Sequence, residues 1–201
     1  MNLLRELSMG EIVSRLVAAI VYAGLQGLLL AGLARIFGDQ RPAHDGRLTP
    51  NPFVHLSVWG AAMAALFGMS WIRTIWFDAK ANRLGRWRIV LVAVLGLAAM
   101  VALVPLLDLL RGPALLLPRT GGYAVLYVLG QLQAVAIAST ALNLLPVPGL
   151  VGGSLLQAIW PNAERRLRRL EPFGLALVIV AIVAGWMPNL ATTLLPLLQV
   201  R

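Results

Sequence analysis

The chain has 201 residues, of which 59% are hydrophobic and 12% charged, and its mean hydropathy of +0.81 exceeds what a soluble domain of this length can bury, so a polytopic membrane protein is expected. The lack of cysteine excludes disulfides, thiolate nucleophiles and Cys-based metal sites. The net charge of +9 lies in short loops beside apolar runs, which fits cytoplasmic retention and lipid headgroups rather than nucleic acid.

A membrane-crossing helix needs about twenty apolar residues. The first run, 16–37, reads as a retained helix and not a cleavable signal peptide: Glu6 and Glu11 interrupt the basic leader, and no cleavage pattern precedes Gly38. In 53–70 the apolar helical part, Val58 to Gly68, is too short to cross unaided, so the segment is either a short span or a re-entrant dip. Lys and Arg satisfy the positive-inside rule in both versions. The re-entrant one is preferred, because it puts the end of the first helix and the Pro146 to Gly153 loop on one cytoplasmic face. Arg47 to Thr49 and Trp71 to Asp78 are expected to pair as a short interfacial β-hairpin, with Trp71, Trp76 and Trp87 as interfacial anchors.

Lys80 to Arg88 follows as a basic amphipathic connection, and then come spans at 89–110 and 123–145. Arg165, Arg166, Arg168 and Arg169 form a basic patch facing lipid headgroups, before a near-span at 172–187. Pro188 breaks that run, leaving 189–200 as a short returning or interfacial segment. The expected fold is an all-α polytopic membrane protein, one integral domain over 1–201 with four to six transmembrane or re-entrant helices.

The chemistry-bearing residues are few. His44 and His55 share a loop with Asp39 and Asp45, but no i, i+4 histidine pair exists, so they read as loop or hairpin-capping residues rather than a metal site. Ser139, Thr140 and Ser154 have no histidine within sequence reach and are expected to bond carbonyls of the preceding turn. Gly152 and Gly153 lack a phosphate loop's lysine and read as turn or close-approach residues. Gln26, Gln131, Gln133 and Asn143 are expected to hydrogen-bond between helices, and Asp108 to pair with Arg111 at i+3 rather than relay protons.

Four stretches, in order and spacing, carry a family resemblance. Asn143-Leu-Leu-Pro-Val-Pro-Gly-Leu-Val-Gly-Gly-Ser154 resembles the NLLPxPPLDGG signature of the site-2 proteases, intramembrane zinc peptidases. Gly38-Asp39 with Gly46-Arg-Leu-Thr-Pro-Asn-Pro-Phe-Val-His-Leu56 resembles the GDPTA…GRLTLNPLAHID passage of that family's small branch. Ser70 to Asp78 is similar to its GWAKPVPVN strand, and Leu170-Glu-Pro-Phe-Gly174 to its LEPYG stretch. The resemblance implies a site-2-protease-like core. Its spacing puts the two zinc-ligating histidines of HExxH on Gln26 and Leu30, the glutamate on Gly27 and the ligating aspartate on Val151; the GPxxN stretch becomes Gly96-Leu-Ala-Ala-Met100, leaving Asn143 as the polar residue of the site.

Zinc hydrolysis needs three ligands, an open position for water and a carboxylate base. The resemblance, with those positions replaced, implies no catalytic residue, no metal ligand and no cofactor, and hence a protein that is not an enzyme. In that family the interfacial strand presents substrate by β-addition, which needs no metal. Trp71, Arg73, Ile75 and Phe77 are therefore the candidate partner-binding strand, and a binding or accessory subunit of a membrane protein complex in a bacterial cytoplasmic membrane is the expected function. The alternatives are an intramembrane zinc metallopeptidase with ligands elsewhere, and a small transporter or channel subunit.

Overall fold

The computed structural model describes residues 8–78, 85–187 and 191–198. Parts of two expected segments, the connection Lys80 to Arg88 and the stretch 189–200, lie outside the described residues.

The first helix, α1, runs Met9–Ile36. Ser8 caps it, its hydroxyl accepting from the Glu11 amide at 3.2 Å, and Glu11 complements the positive end of the helix dipole. Gly38 at φ +83° ends it, with the Asp39 amide donating to Ala34 O at 2.8 Å and the Gly38 amide to Arg35 O at 2.9 Å, the paired bonds of a Schellman turn. Ala18, Ala19, Ala23, Gly27 and Ala31 make its buried face small enough for neighbouring backbones to approach closely.

Two single turns, α2 (Arg41–His44) and α3 (Pro52–His55), lead to α4 (Val58–Phe67), capped by Ser57 and stopped by Gly68 at φ +73°. Ten residues rise about 15 Å, half the hydrocarbon thickness. Then follow α5 (Trp87–Asp108), α6 (Arg111–Leu115), α7 (Arg119–Asn143), α8 (Ser154–Ile159), a 3-10 turn at Pro161–Ala163, α9 (Glu164–Val183) and α10 (Ala191–Leu198). Three stretches are long and apolar enough to cross a membrane: Met9–Ile36, Trp87–Leu115 and Arg119–Asn143. The protein is thus an all-α integral membrane protein. The helix expected over 172–187 instead begins at Glu164, so the basic patch forms its first turns.

α7 packs against both α1 and α5. Asp108 pairs with Arg111 at 2.8 Å, and the Gln133 amide donates to Asp108 Oδ1 at 2.7 Å and to Val104 O at 2.9 Å, tying α7 to α5. These are the local pair and the interhelical bond that the sequence suggests.

The hairpin differs from its expected form. Among the described residues the extended pairing is one antiparallel bridge, Leu56 with Ile72, supported by the Arg73 amide donating to His55 O at 2.7 Å. Arg47 contributes its side chain instead, donating to Val54 O at 2.9 Å and Thr74 O at 3.4 Å. Pro50 and Pro52, which have no amide hydrogen, stop that stretch from pairing as a strand.

One polar cluster ties the loops together. Asp39 accepts from the Asp78 amide at 2.8 Å and pairs with buried Arg88 at 3.6 Å; Arg41 pairs with Glu164 at 2.8 Å; and Arg88 donates to Asp78 O. The two flanks of the α3–α4 segment and the start of α9 therefore meet at one end of the helix bundle.

Candidate functional site

The site is a narrow cleft, with a cavity volume of only about 20 Å³, between Leu30 of α1, the extended segment 72–77 and the α7–α8 loop from Pro148 to Ser154. Asn143, the last residue of α7, shapes the loop. Fully buried, its amide donates to Ser139 O at 2.8 Å, Ser70 O at 3.2 Å and the Tyr22 hydroxyl at 3.4 Å, while its Oδ1 accepts from the Val151 amide at 3.2 Å and its carbonyl from the Gly152 amide at 2.7 Å. One side chain thus joins α1, the extended segment and the cleft loop. Gly149 takes φ +103°, a conformation that L side chains rarely adopt, and the Leu175 side chain fills the space beside it. Gly152 and Gly153 are the close-approach residues of the turn, with the Leu144, Leu145 and Val147 carbonyls where side chains would go.

The positions singled out on α1 face three ways. Gln26 is fully buried beside Tyr22, whose hydroxyl lies among Gln26, Ser139, Thr140 and Asn143, but the Gln26 amide makes no hydrogen bond of normal geometry. Gly27 faces α3: a Cβ there would overlap the His55 imidazole. Leu30 lies over Gly96 of α5 and shares one apolar cluster with Val151, Ile72, Ile75 and Phe77. The structure therefore brings Leu30 and Val151 to the cleft and Asn143 to the root of its loop, while Gln26 and Gly27 turn away.

His55 is fully buried, its Nε2 3.0 Å from Thr49 O. That contact assigns the ring hydrogen to Nε2 and leaves Nδ1, which has no partner, as the basic nitrogen. Burial holds this imidazole below the ordinary histidine range. His44 is exposed on α2, and among the described residues no three His, Cys, Asp or Glu side chains gather as a metal site.

In the extended segment Trp71, Ile72, Ile75 and Phe77 are buried and Arg73 is exposed. The expected binding strand thus turns three of its four side chains, Trp71, Ile75 and Phe77, into the core. What it leaves open is backbone: the N–H and C=O of Ile72 and Trp76 and the N–H of Thr74 have no partner among the described residues. The C=O of Arg73 and both groups of Ile75 are likewise without a partner among the described residues, so unpaired backbone runs from Ile72 to Trp76, with the Thr74 C=O taken by Arg47 and the Arg73 N–H by His55.

Sequence reasoning passes over the residues that hold this edge. The Thr74 hydroxyl lies 2.6 Å from Glu171 Oε1 and 3.3 Å from Gly149 O; the Phe77 amide donates to Gln157 at 3.3 Å, and Arg41 to Phe77 O at 3.3 Å. Gln157, set among Leu155, Leu156, Ala158 and Ile159 in α8, was the readable signal.

Glu164, beside the site, is held below the usual carboxylate range chiefly by the Arg41 hydrogen bond. A carboxyl lowered in the folded state stabilises it above the ordinary carboxylate pKa, and that contribution fades as pH falls through the lowered value. Both partners are about a third exposed, so Glu164→Gln is expected to cost under about 1 kcal/mol. Thermal melts of the two proteins should differ at pH 7 and converge in acid.

The chain is 27% identical over 176 residues to a protein of Bacillus subtilis (strain 168) named "Putative zinc metalloprotease YwhC", a match covering 83% of this chain and 78% of that one. Over most of its length the chain is thus similar to a protein that bears a metalloprotease's name. No family model matches the chain, and no solved structure does. The similarity corrects the expectation that the chain is not an enzyme: the relative's name is that of a protease. Replaced residues at four positions describe those positions and do not decide the activity of the whole protein.

Zinc, which that name implies, can be tested against the side chains present. Gln26, Gly27, Leu30 and Val151 offer an amide, a hydrogen and two hydrocarbons, whereas zinc takes thiolate, imidazole or carboxylate. They do not fit the metal. Val151→Asp would place a carboxylate at a site 8% exposed and without a partner, and is expected to cost about 2–3 kcal/mol. Val151→Leu should cost under about 1.5 kcal/mol. Melting the two variants in detergent, with and without zinc, checks both the order and whether the carboxylate gains a metal.

Proposed function

We propose that this is a site-2-protease-like protein of a bacterial cytoplasmic membrane that takes an extended segment of another membrane protein onto the open edge at Ile72, Thr74 and Trp76. The observation that carries this reading is the row of unpaired backbone groups lining the cleft beside Leu30 and Val151. Strand addition draws its affinity from such groups and its selectivity from alternate side-chain pockets. The bound protein is a membrane-embedded substrate or a fellow subunit of a larger complex, and the basic α9 turns lie against lipid headgroups.

Photo-crosslinking tests this directly. A benzophenone side chain at Trp76 should yield protein adducts in native membranes, and one at Phe173, 73% exposed on α9, should not. Equal yields from both positions would remove the support for an edge-specific partner.

Hydrolysis of the bound segment is a second reading, favoured by the name of the Bacillus subtilis relative. It requires ligands outside Gln26, Gly27, Leu30 and Val151, from elsewhere in this chain or from another. Elemental analysis of protein purified with its native partners decides it: about one zinc per chain supports hydrolysis, and a trace amount rejects the zinc version.

The same proposal places 38–52, 73–88 and 161–171 on the cytoplasmic face, with 53–70 re-entrant, a reading supported by the Asp39–Arg88 and Arg41–Glu164 contacts. The chain has no cysteine, so single cysteines at Asp45 and Asn162 can be labelled from one side at a time. Both should react from the cytoplasmic side; reaction from opposite sides would show that 53–70 crosses.

A further inference from the structure

We infer that Arg73 selects the segment bound at this edge by requiring an acidic side chain opposite it. The inference rests on the docking reading above. Arg73 is exposed and is the charged side chain of the stretch 70–77, with no hydrogen bond or ion pair among the described residues. Its own amide is committed to His55 O at 2.7 Å, on the closed side of the segment, while its neighbours Ile72 and Thr74 offer the open edge.

No carboxylate forms an ion pair with Arg73 among the described residues. Arg47 donates to Thr74 O, one residue away, and its guanidinium is destabilised first by burial and then by the charge of Arg73. The carboxylates nearby are engaged or distant in role: Glu171 with the Thr74 hydroxyl, Glu164 with Arg41 and Arg168, and exposed Asp45 on the Arg47 side. Arg168 adds a third guanidinium, stacked 4.5 Å from the Trp76 ring. A strand added to the open edge brings its directly opposed residue to a Cβ separation of about 4.5–5.5 Å, where an opposite charge is favourable and a like charge is not. An aspartate or glutamate there meets the Arg73 guanidinium; a lysine meets the same charge and is rejected.

The test uses full-length protein in nanodiscs and fluorescent ten-residue peptides of alternating valine and threonine, with Asp, Asn or Lys at the centre. The Asp peptide should bind about tenfold more tightly than the Lys peptide, the cross-strand charge terms of the two peptides combined. In Arg73→Gln the two should become equal while the Asn peptide keeps its affinity. Equal binding of all three peptides to the unaltered protein overturns the selection by Arg73 and leaves docking intact. Failure of every peptide to bind overturns the docking reading and the inference with it. Loss of the Asn peptide in Arg73→Gln shows that Arg73 builds the edge rather than reading the guest, and also overturns the inference.

Discussion

Asn143→Ala is expected to be among the most destabilising single substitutions in the chain, costing about 4–6 kcal/mol. The change removes four side-chain hydrogen bonds at once and leaves the Val151 amide and the Ser70 and Ser139 carbonyls buried without that partner. Each unsatisfied buried group costs about 1–3 kcal/mol, and neighbouring losses do not relax independently. Asn143→Asp separates the contributions: it retains the acceptor for Val151 and loses the three donated bonds. Thermal unfolding in a single detergent should rank wild type above Asp and Asp above Ala. A melt of Asn143→Ala within 2 °C of wild type would mean that the loop is held by its own turns.

The second large effect is expected at Gly27. A Cβ at this position overlaps the His55 imidazole, so even Gly27→Ala must displace α3, and overpacking of this kind costs about 1–3 kcal/mol. Gly27→Glu adds a carboxylate in the same closed space, for a total of about 5 kcal/mol or outright failure to fold. The cause can be isolated by truncating the neighbour. In His55→Ala the ring is gone, so Gly27→Ala should cost much less than in the native background, a coupling of more than about 1 kcal/mol in a double-mutant cycle. Additive costs would show that the obstruction lies elsewhere.

Most of the helical frame was legible from residues. Long apolar runs located α5 and α7 within a few residues and α1 without its first two turns, because length and hydropathy are local properties, and Gly68 marked the end of α4 as it marks a left-handed helix stop. The start of α9 was missed: Glu164 to Arg169 carry charges that hydropathy discounts, yet they continue the helix as paired residues on its polar turns. The strand pairing was misassigned for a different reason. β-Branched residues say that a segment is extended, but its partner is chosen by tertiary distance, and here α1 seats Pro52 and His55 against Gly24 and Gly27 and so delivers Leu56 to Ile72. In the site, Gln26, Gly27, Leu30, Asn143 and Val151 were singled out by the family resemblance alone, and of these the fold sets Leu30 and Val151 on one cleft, with Asn143 at the root of its loop. Sequence pattern could not show that Trp71, Ile75 and Phe77 face inward, since alternation in a segment buried on both sides carries no sign of which face is open. Nor could spacing reveal that His55 fills the space beside Gly27.

The wall of the cleft is not a free loop. Leu175 fills the space beside Gly149, and Gly174 stands where a Cβ would come within 3.0 Å of the Pro148 carbonyl oxygen, so the stretch from Pro148 to Gly149 and the middle of α9 fit together without slack. Close-packed surfaces move as units. The aperture at Ile72 to Trp76 is consequently set by the tilt of α9, whose opposite side, at Phe173, Leu177 and Val180, lies outside the protein core. Any guest strand that widened the opening would have to swing that helix with it, so whatever covers its outer side would govern how readily the edge can be reached.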